Sequence, residues 1–149
     1  MAVAAREPVI VMDAGDLIDG SPFSIEFNGE ADFAVANAAG YEVVVTGNHE
    51  YSNSIANFLK RIKEAQFPVL GANVFKSDGS RFLTPYMILN EDGLRIAILG
   101  LVTPHTYTAV KEGNLEIRDP IETAKEWVPK LRQEADVVIC LTHIGYDVD

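Results

Sequence analysis

The chain alternates between short apolar runs and amphipathic stretches. Runs rich in valine and isoleucine occupy residues 8–12, 42–46 and 136–142. Such runs predict short strands that are buried on both faces of a sheet. Two further apolar runs, residues 85–90 and 94–102, are joined through Asn-Glu-Asp-Gly and predict a β-hairpin. A short strand is also expected at Val69 and Leu70, before Gly71. The whole pattern indicates an α/β fold.

Two stretches between the first strands predict helices. Residues 30–39 end at Gly40, a typical helix stop. Residues 54–66 carry apolar residues at helical spacing, and Ser52 or Asn53 is expected to cap them.

A third helix is predicted to begin after Asp119. The aspartate can cap the helix, and Pro120 suits the first helical position. An apolar stripe continues toward residue 135, but Pro129 removes a backbone donor, so a kink or an earlier end is expected there.

The remaining stretches are predicted to be irregular. Residues 17–30 read as a loop and residues 76–81 as an exposed turn. Residues 103–113 read as irregular or as a short helix, within which His105 is expected to be an ordinary loop residue.

Composition narrows the functional classes. The 149 residues suggest one domain, and 48% hydrophobic residues suffice for a core. A net charge of −10 makes a nucleic-acid polymer a poor partner, although a small phosphate ester can bind where a metal supplies local positive charge. No run reaches the length of a membrane span. Cys140, within an apolar run, is expected to be a buried structural thiol.

Polar side chains follow the three predicted buried strands. Asp16 follows the first strand, Asn48 and His49 follow the second, and His143 follows the third. Ligands in open α/β sheets bind at the carboxyl ends of the strands, so these side chains are expected to cluster there. A carboxylate, an amide oxygen and imidazoles suit divalent ions such as Zn or Mn.

The motifs resemble a known family in the order in which they occur. They are Asp-Ala-Gly-Asp at 13–16, Gly-Ser-Pro at 20–22, Gly-Tyr at 40–41, Gly-Asn-His-Glu at 47–50, Gly-Ala-Asn-Val at 71–74, the apolar segment 94–104 and Leu-Thr-His-Ile-Gly at 141–145. Together they resemble the 5′-nucleotidase branch of the calcineurin-like metallophosphoesterases over nearly the whole chain.

The resemblance implies a layered αββα sandwich and a two-metal phosphoesterase acting on nucleotides or related phosphate esters. It implies that Asp16 bridges both divalent metals, of the Zn or Mn type, and that Asn48 and His143 ligate the second metal. His49 then donates to the phosphoryl oxygens or to the leaving group.

Other parts of the family pattern are not in this sequence. The opening Asp-x-His motif and the final Gly-His-x-His or Gly-His-x-Gln motif are absent, which removes most ligands of the first metal and one of the second. Residues 1–149 are therefore expected to be a partial catalytic domain, truncated at both ends, with the carboxyl-terminal nucleotide-binding domain absent. Uncovered sheet edges favour self-association of such a chain. The resemblance alone suggests an extracytoplasmic location.

One departure lies inside the site. The family often places an aspartate three residues after the motif histidine, where it can orient the imidazole, and this chain has Ser52 there. Two classes of function therefore stay open. One is a hydrolase that removes phosphate from nucleotides or related esters, and within this class a cyclic-nucleotide phosphodiesterase, a nucleotide-sugar hydrolase and a relative acting in sulfur oxidation stay open. The other is a non-catalytic ligand-binding or scaffold protein on the same fold.

Overall fold

The structure, a computed structural model, describes residues 9–105 and 115–149. In these residues the strands are β1 (Met12–Asp13), β2 (Val43–Val45), β3 (Val69–Leu70), β4 (Val74–Lys76), β5 (Tyr86–Glu91), β6 (Leu94–Val102), β7 (Leu115–Ile117) and β8 (Val137–His143). The α-helices are α1 (Pro22–Glu26), α2 (Glu30–Ala39), α3 (Ile55–Glu64) and α4 (Pro120–Glu134), and a 3₁₀ helix spans His49–Tyr51.

Two three-stranded sheets form the centre of the fold. The first is parallel, in the order β1-β2-β3. The second has the order β5-β6-β8, in which β5 and β6 form the predicted antiparallel hairpin and β8 runs parallel to β6. The sheets pack against each other through a buried cluster that includes Val43, Leu70 and Ile98. β4 and β7 form a separate two-stranded ribbon.

Helices cover the outer faces of both sheets. On the first sheet, Val44 points away from the second sheet and packs in one cluster with Phe33 of α2 and Phe58 of α3. On the second sheet, Leu99 packs in another cluster with Leu131 of α4. Strands buried on both faces need apolar residues at every position, which accounts for the continuous apolar runs. The predicted αββα layering is confirmed.

Gly100 in β6 allows the two sheets to approach closely. A Cβ atom at this position would overlap Leu70 Cβ and lie 3.0 Å from the Leu70 carbonyl carbon and 3.1 Å from Val45 Cγ2. Because these neighbours lie in the interior, they have little room to move.

We expect Gly100→Ala to destabilise the protein by about 1–3 kcal/mol, because it overpacks the sheet interface. Thermal unfolding of the full-length protein measures this as a lower midpoint. Asn90→Ala, at an exposed position of β5, is the control and should unfold like the wild type. An unchanged midpoint for the glycine variant would contradict the tight packing.

Several elements differ from the sequence predictions. The predicted loop at 17–30 contains α1, in which the Ser21 side chain accepts the Ser24 N–H at 3.0 Å and Pro22 occupies the first turn. The ribbon of β4 and β7 was not predicted, because each strand is only three residues long. β1 is shorter than the predicted strand 8–12, of which residue 8 lies outside the described residues.

The helix ends also correct two predictions. The cap of α3 is Ser54, whose side chain accepts the Asn57 N–H at 3.1 Å, and not Ser52 or Asn53. α4 begins as predicted at its Asp119 cap but does not end early, since it continues through Pro129 to Glu134. The proline is exposed, so its ring lies on the solvent side of the helix.

Cys140 is exposed, which contradicts the prediction of a buried thiol. It lies on β8, which pairs only with β6 among the described strands and so has an open edge. Self-association through this edge stays a prediction.

In the part of the chain described here, no helix is long and apolar enough to cross a membrane. Of residues 103–113, only 103–105 are described, and these lie outside helices and strands.

Candidate metal centre

Two loops meet at the carboxyl ends of β1 and β2. In the first loop, Gly15 and Asp16 both have left-handed backbone conformations, with φ of 94° and 61°. A Cβ atom at Gly15 would lie 2.7 Å from the backbone nitrogen of Gly47 in the second loop. Left-handed backbone is unfavourable for an aspartate and is found mainly where surrounding contacts enforce it, often at functional sites.

The Glu50 carboxylate fastens these loops together. Its side chain is buried, with a residue exposure of 1%. One oxygen accepts the Leu17 N–H at 2.6 Å, and the other accepts the N–H groups of Gly47 at 2.6 Å and Asp16 at 3.2 Å. Burial raises the pKa of Glu50, while the N–H groups favour the carboxylate form. In the sequence, Glu50 is marked only as part of the Gly-Asn-His-Glu motif, and its role in joining the two loops was not predicted.

The two carboxylate oxygens of Asp16 have different surroundings. Oδ1 accepts the backbone N–H of His49 at 2.8 Å, which ties Asp16 to the second loop. Oδ2 lies 3.2 Å from Nε2 of His143 and 3.9 Å from Nε2 of His49. One oxygen therefore holds the loop, and the other faces the two imidazoles.

His143 enters the cluster from the second sheet. Its Nδ1 lies 2.8 Å from the carbonyl oxygen of Ala14. A carbonyl oxygen can only accept, so Nδ1 must carry a hydrogen. Nε2 then faces Asn48 Oδ1 at 3.1 Å as well as Asp16 Oδ2. A backbone carbonyl bound to the remote ring nitrogen is the usual way to orient a metal-ligating histidine.

These three side chains fit a divalent cation. Ligands about 2.1 Å from a common ion are separated by about 3.0–3.4 Å in octahedral or tetrahedral geometry, and the observed 3.1 and 3.2 Å fall in this range. Both oxygens lie near the same ring nitrogen, where either a proton on Nε2 or a bound cation would offset the negative charge of Asp16. Among residues 9–105 and 115–149, no three Asp, Glu, His or Cys side chains form a metal-binding group, so the amide of Asn48 is needed as the third ligand.

His49 lies beside this cluster and is paired with a carboxylate. Its Nδ1 is 3.0 Å from Oδ2 of Asp19. The hydrogen bond to Asp19 raises the pKa of His49, and the negative charges of Asp16 and Glu50 add to the effect. The same hydrogen bond lowers the pKa of Asp19. His49 therefore keeps both ring protons to a higher pH than a free histidine does.

The structure thus brings all four predicted side chains together. It also adds Asp19, which the sequence analysis did not select. Asp19 stands three residues after Asp16 in a predicted loop, where no periodic pattern marks it. Its contact with His49 spans 30 residues of sequence and depends on how the two loops fold.

The comparisons with known proteins agree with this geometry. Residues 2–147 match the calcineurin-like phosphoesterase family. The chain belongs to this family. Members of the family use divalent metals, which fits the donor set described above.

Three relatives illustrate the branch of the calcineurin-like phosphoesterases to which the chain is similar. The 5′-nucleotidase of Vibrio cholerae is 34% identical over 144 residues, covering 93% of this chain and 26% of that protein. The NAD nucleotidase structure from Haemophilus influenzae has a TM-score of 0.80 at 34% identity, covering 93% and 28% of the two chains. The 5′-nucleotidase precursor from Thermus thermophilus has a TM-score of 0.81 at 28% identity, covering 96% and 29%. The chain thus spans about a quarter of the length of the curated relatives it matches.

Two open cavities adjoin the site of this phosphoesterase chain. One, of about 300 Å³, is lined by Asn48, Thr103 and His143. His105, predicted to be an ordinary loop residue, also lines it. The other, of about 450 Å³, includes Asp19 and Ser52 in its wall. Both cavities open to solvent, so small molecules can reach Asp19 and His143 from outside.

Proposed function

We propose that the full-length protein is a metal-dependent phosphoesterase of the 5′-nucleotidase type. It hydrolyses the phosphate ester of nucleotides and uses two divalent cations such as Zn or Mn. Family membership and the similarity to 5′-nucleotidases support this function. The observation that carries the proposal is the position of His143 Nε2 within 3.1–3.2 Å of oxygens from both Asn48 and Asp16, beside a paired histidine.

Each ligand has a separate role in this proposal. Asp16 would hold the metals through its carboxylate, whose Oδ1 also accepts the His49 N–H and whose Oδ2 faces His143. Asn48 supplies its amide oxygen and His143 its Nε2. A divalent pair, when bound, supplies Lewis acidity, an activated water and neutralisation of the phosphoryl charge. Ligands beyond these three come from parts of the protein outside this chain.

His49 is the proposed proton donor. Asp19 accepts at Nδ1, so the other ring hydrogen is on Nε2, which lies 3.9 Å from Oδ2 of Asp16 and so borders the metal site. From this position Nε2–H can donate to a phosphoryl oxygen or to the leaving alkoxide oxygen. Charge develops on these oxygens during ester cleavage, so a fixed cationic donor stabilises the transition state more than the substrate.

The proposed substrate class rests on the names of the similar proteins. Those described above are 5′-nucleotidases and an NAD nucleotidase. All of these names refer to a nucleotide. The small open cavities of this chain accommodate a phosphate group and adjoining atoms, and the recognition of the base is assigned to other parts of the full-length protein.

The test uses the full-length protein with Asp16→Ala and His143→Ala combined. We expect the double variant to bind less Zn or Mn per chain and to lose phosphate release from AMP, because it lacks two of three converging ligands. Metal content by mass spectrometry and phosphate release measure both effects. Asp92→Ala, in the exposed turn between β5 and β6, is the control and should match the wild type.

Two results would contradict the proposal. Unchanged metal content in the double variant would show that the ions bind elsewhere. A metal-loaded wild type that binds AMP without releasing phosphate would favour the alternative, a non-catalytic ligand-binding or scaffold protein.

A further inference from the structure

The histidine beside the metal site is bound to a carboxylate from another loop. The position from which an orienting aspartate was expected holds Ser52. Instead, Nδ1 of His49 lies 3.0 Å from Oδ2 of Asp19, which follows β1 rather than β2. The charge partner of the imidazole is therefore supplied across the two loops that form the site.

Asp19 is held firmly in this position. Its Oδ1 accepts the Gly20 N–H at 2.9 Å, and its own N–H donates to Oγ of buried Ser24 at 2.6 Å. Its backbone is left-handed, with φ of 75°. This conformation costs an aspartate free energy, so the surrounding contacts must enforce it. The loop thus holds Asp19 in an unfavourable backbone conformation in which its carboxylate contacts His49.

Ser52 acts on the aspartate rather than replacing it. Its N–H donates to the His49 carbonyl oxygen at 2.9 Å, which places residue 52 one turn of the 3₁₀ helix after the histidine. After the larger effect of His49, the Ser52 side chain also contributes to lowering the pKa of the Asp19 carboxylate. Ser52 and Asp19 also line the same open cavity of about 450 Å³. A carboxylate at position 52 would therefore lie in the open cavity beside the side chain of residue 19.

We propose that Asp19, rather than residue 52, is the positioning residue of His49 in this protein. The proposal rests on the proposed phosphoesterase function. A carboxylate on Nδ1 fixes the ring so that Nε2–H faces the metal site, and it stabilises the charged imidazolium during proton donation. Ser52 lies beside the same carboxylate, in the wall of the shared cavity.

If Asp19 positions His49 through its charge, an aspartate at position 52 should restore this role when Asp19 is replaced. The experiment compares four forms of the full-length protein loaded with Mn: wild type, Asp19→Asn, Asp19→Asn combined with Ser52→Asp, and Asp92→Asn. Asparagine keeps the size of Asp19 and tolerates left-handed backbone, but it lacks the charge. Asp92 is a matched control, because it also has a left-handed backbone, with φ of 48°, and lies in the β5–β6 turn. Steady-state hydrolysis of AMP gives kcat and KM, and metal content and thermal midpoint are measured in parallel.

We expect Asp19→Asn to lower kcat by about 10–100-fold while KM, metal content and thermal midpoint change little. The double variant should recover most of the lost kcat, whereas Asp92→Asn should match the wild type. A merely structural role would not give this recovery, since the added aspartate restores only the carboxylate beside His49.

Three outcomes would overturn the inference. They are wild-type kcat in Asp19→Asn, a double variant that stays as slow as Asp19→Asn, and a thermal midpoint that falls together with kcat. A wild type that does not hydrolyse AMP would instead refute the proposed function, and this inference with it.

Discussion

Replacing His49 with alanine in the full-length protein should reduce nucleotide hydrolysis by about 10²–10⁴-fold, the usual effect of losing a general acid or base. Metal content should stay at the wild-type level. The reason is that the side chain borders the cluster, 3.9 Å from Oδ2 of Asp16, without joining the three converging atoms. The link between the loops survives the substitution, because Asp16 Oδ1 is bound to the backbone N–H of residue 49.

Turnover and metal content must be measured on the same sample. Asn90→Ala is a suitable control, since this exposed residue pairs with Arg95, at the end of β6 away from His143. Unchanged turnover in His49→Ala would exclude the role of proton donor. Complete loss of metal would show that His49 is a ligand rather than a donor.

Replacing Glu50 with glutamine should disrupt the site without removing any of the proposed ligands. Both oxygens of this buried carboxylate accept backbone N–H groups. Glutamine replaces one oxygen with an NH₂ group, so in either amide orientation some N–H groups face another donor. Buried unsatisfied groups cost about 1–3 kcal/mol each, so we expect destabilisation by about 3 kcal/mol. Weaker metal binding should accompany it, because Glu50 joins the loops that carry Asp16 and Asn48.

Glu42→Gln is the matched control for this variant. The Glu42 side chain accepts a backbone N–H from Val11 at 3.1 Å, and the oxygen of a glutamine can accept the same bond. Thermal unfolding and metal titration of the two full-length variants should therefore differ clearly. Equal stability of both variants would show that the Glu50 carboxylate does not hold the loops together.

The main elements of the fold were predictable because their signals are local. The apolar runs of β2 and β6 are continuous, since these strands are buried between two packed layers. Asp119 and Gly40 mark helix ends through hydrogen bonds to near neighbours in sequence. By contrast, the three-residue strands β4 and β7 are too short to show a pattern. They exist because they pair with each other across about 40 residues of chain.

The exposure of Cys140 shows a second limit of the sequence. Its apolar neighbours predict a buried strand, and the strand is present. Whether a strand lies in the middle or at the edge of a sheet depends on the other strands that pair with it. Among the described residues β8 has a single neighbour, β6, so Cys140 remains exposed.

By itself, the sequence determined an α/β fold and the candidate residues Asp16, Asn48, His49 and His143. These follow from apolar runs and the polar residues directly after them, whereas the αββα layering was implied by the resemblance of the motifs to a family. Only the tertiary structure decided that Glu50 joins the two loops and that Asp19 holds His49. Both contacts link residues 30 or more positions apart, and they require left-handed turns at Asp16 and Asp19. Local sequence patterns do not predict such contacts, because it is the packing of the whole domain that brings the two loops together.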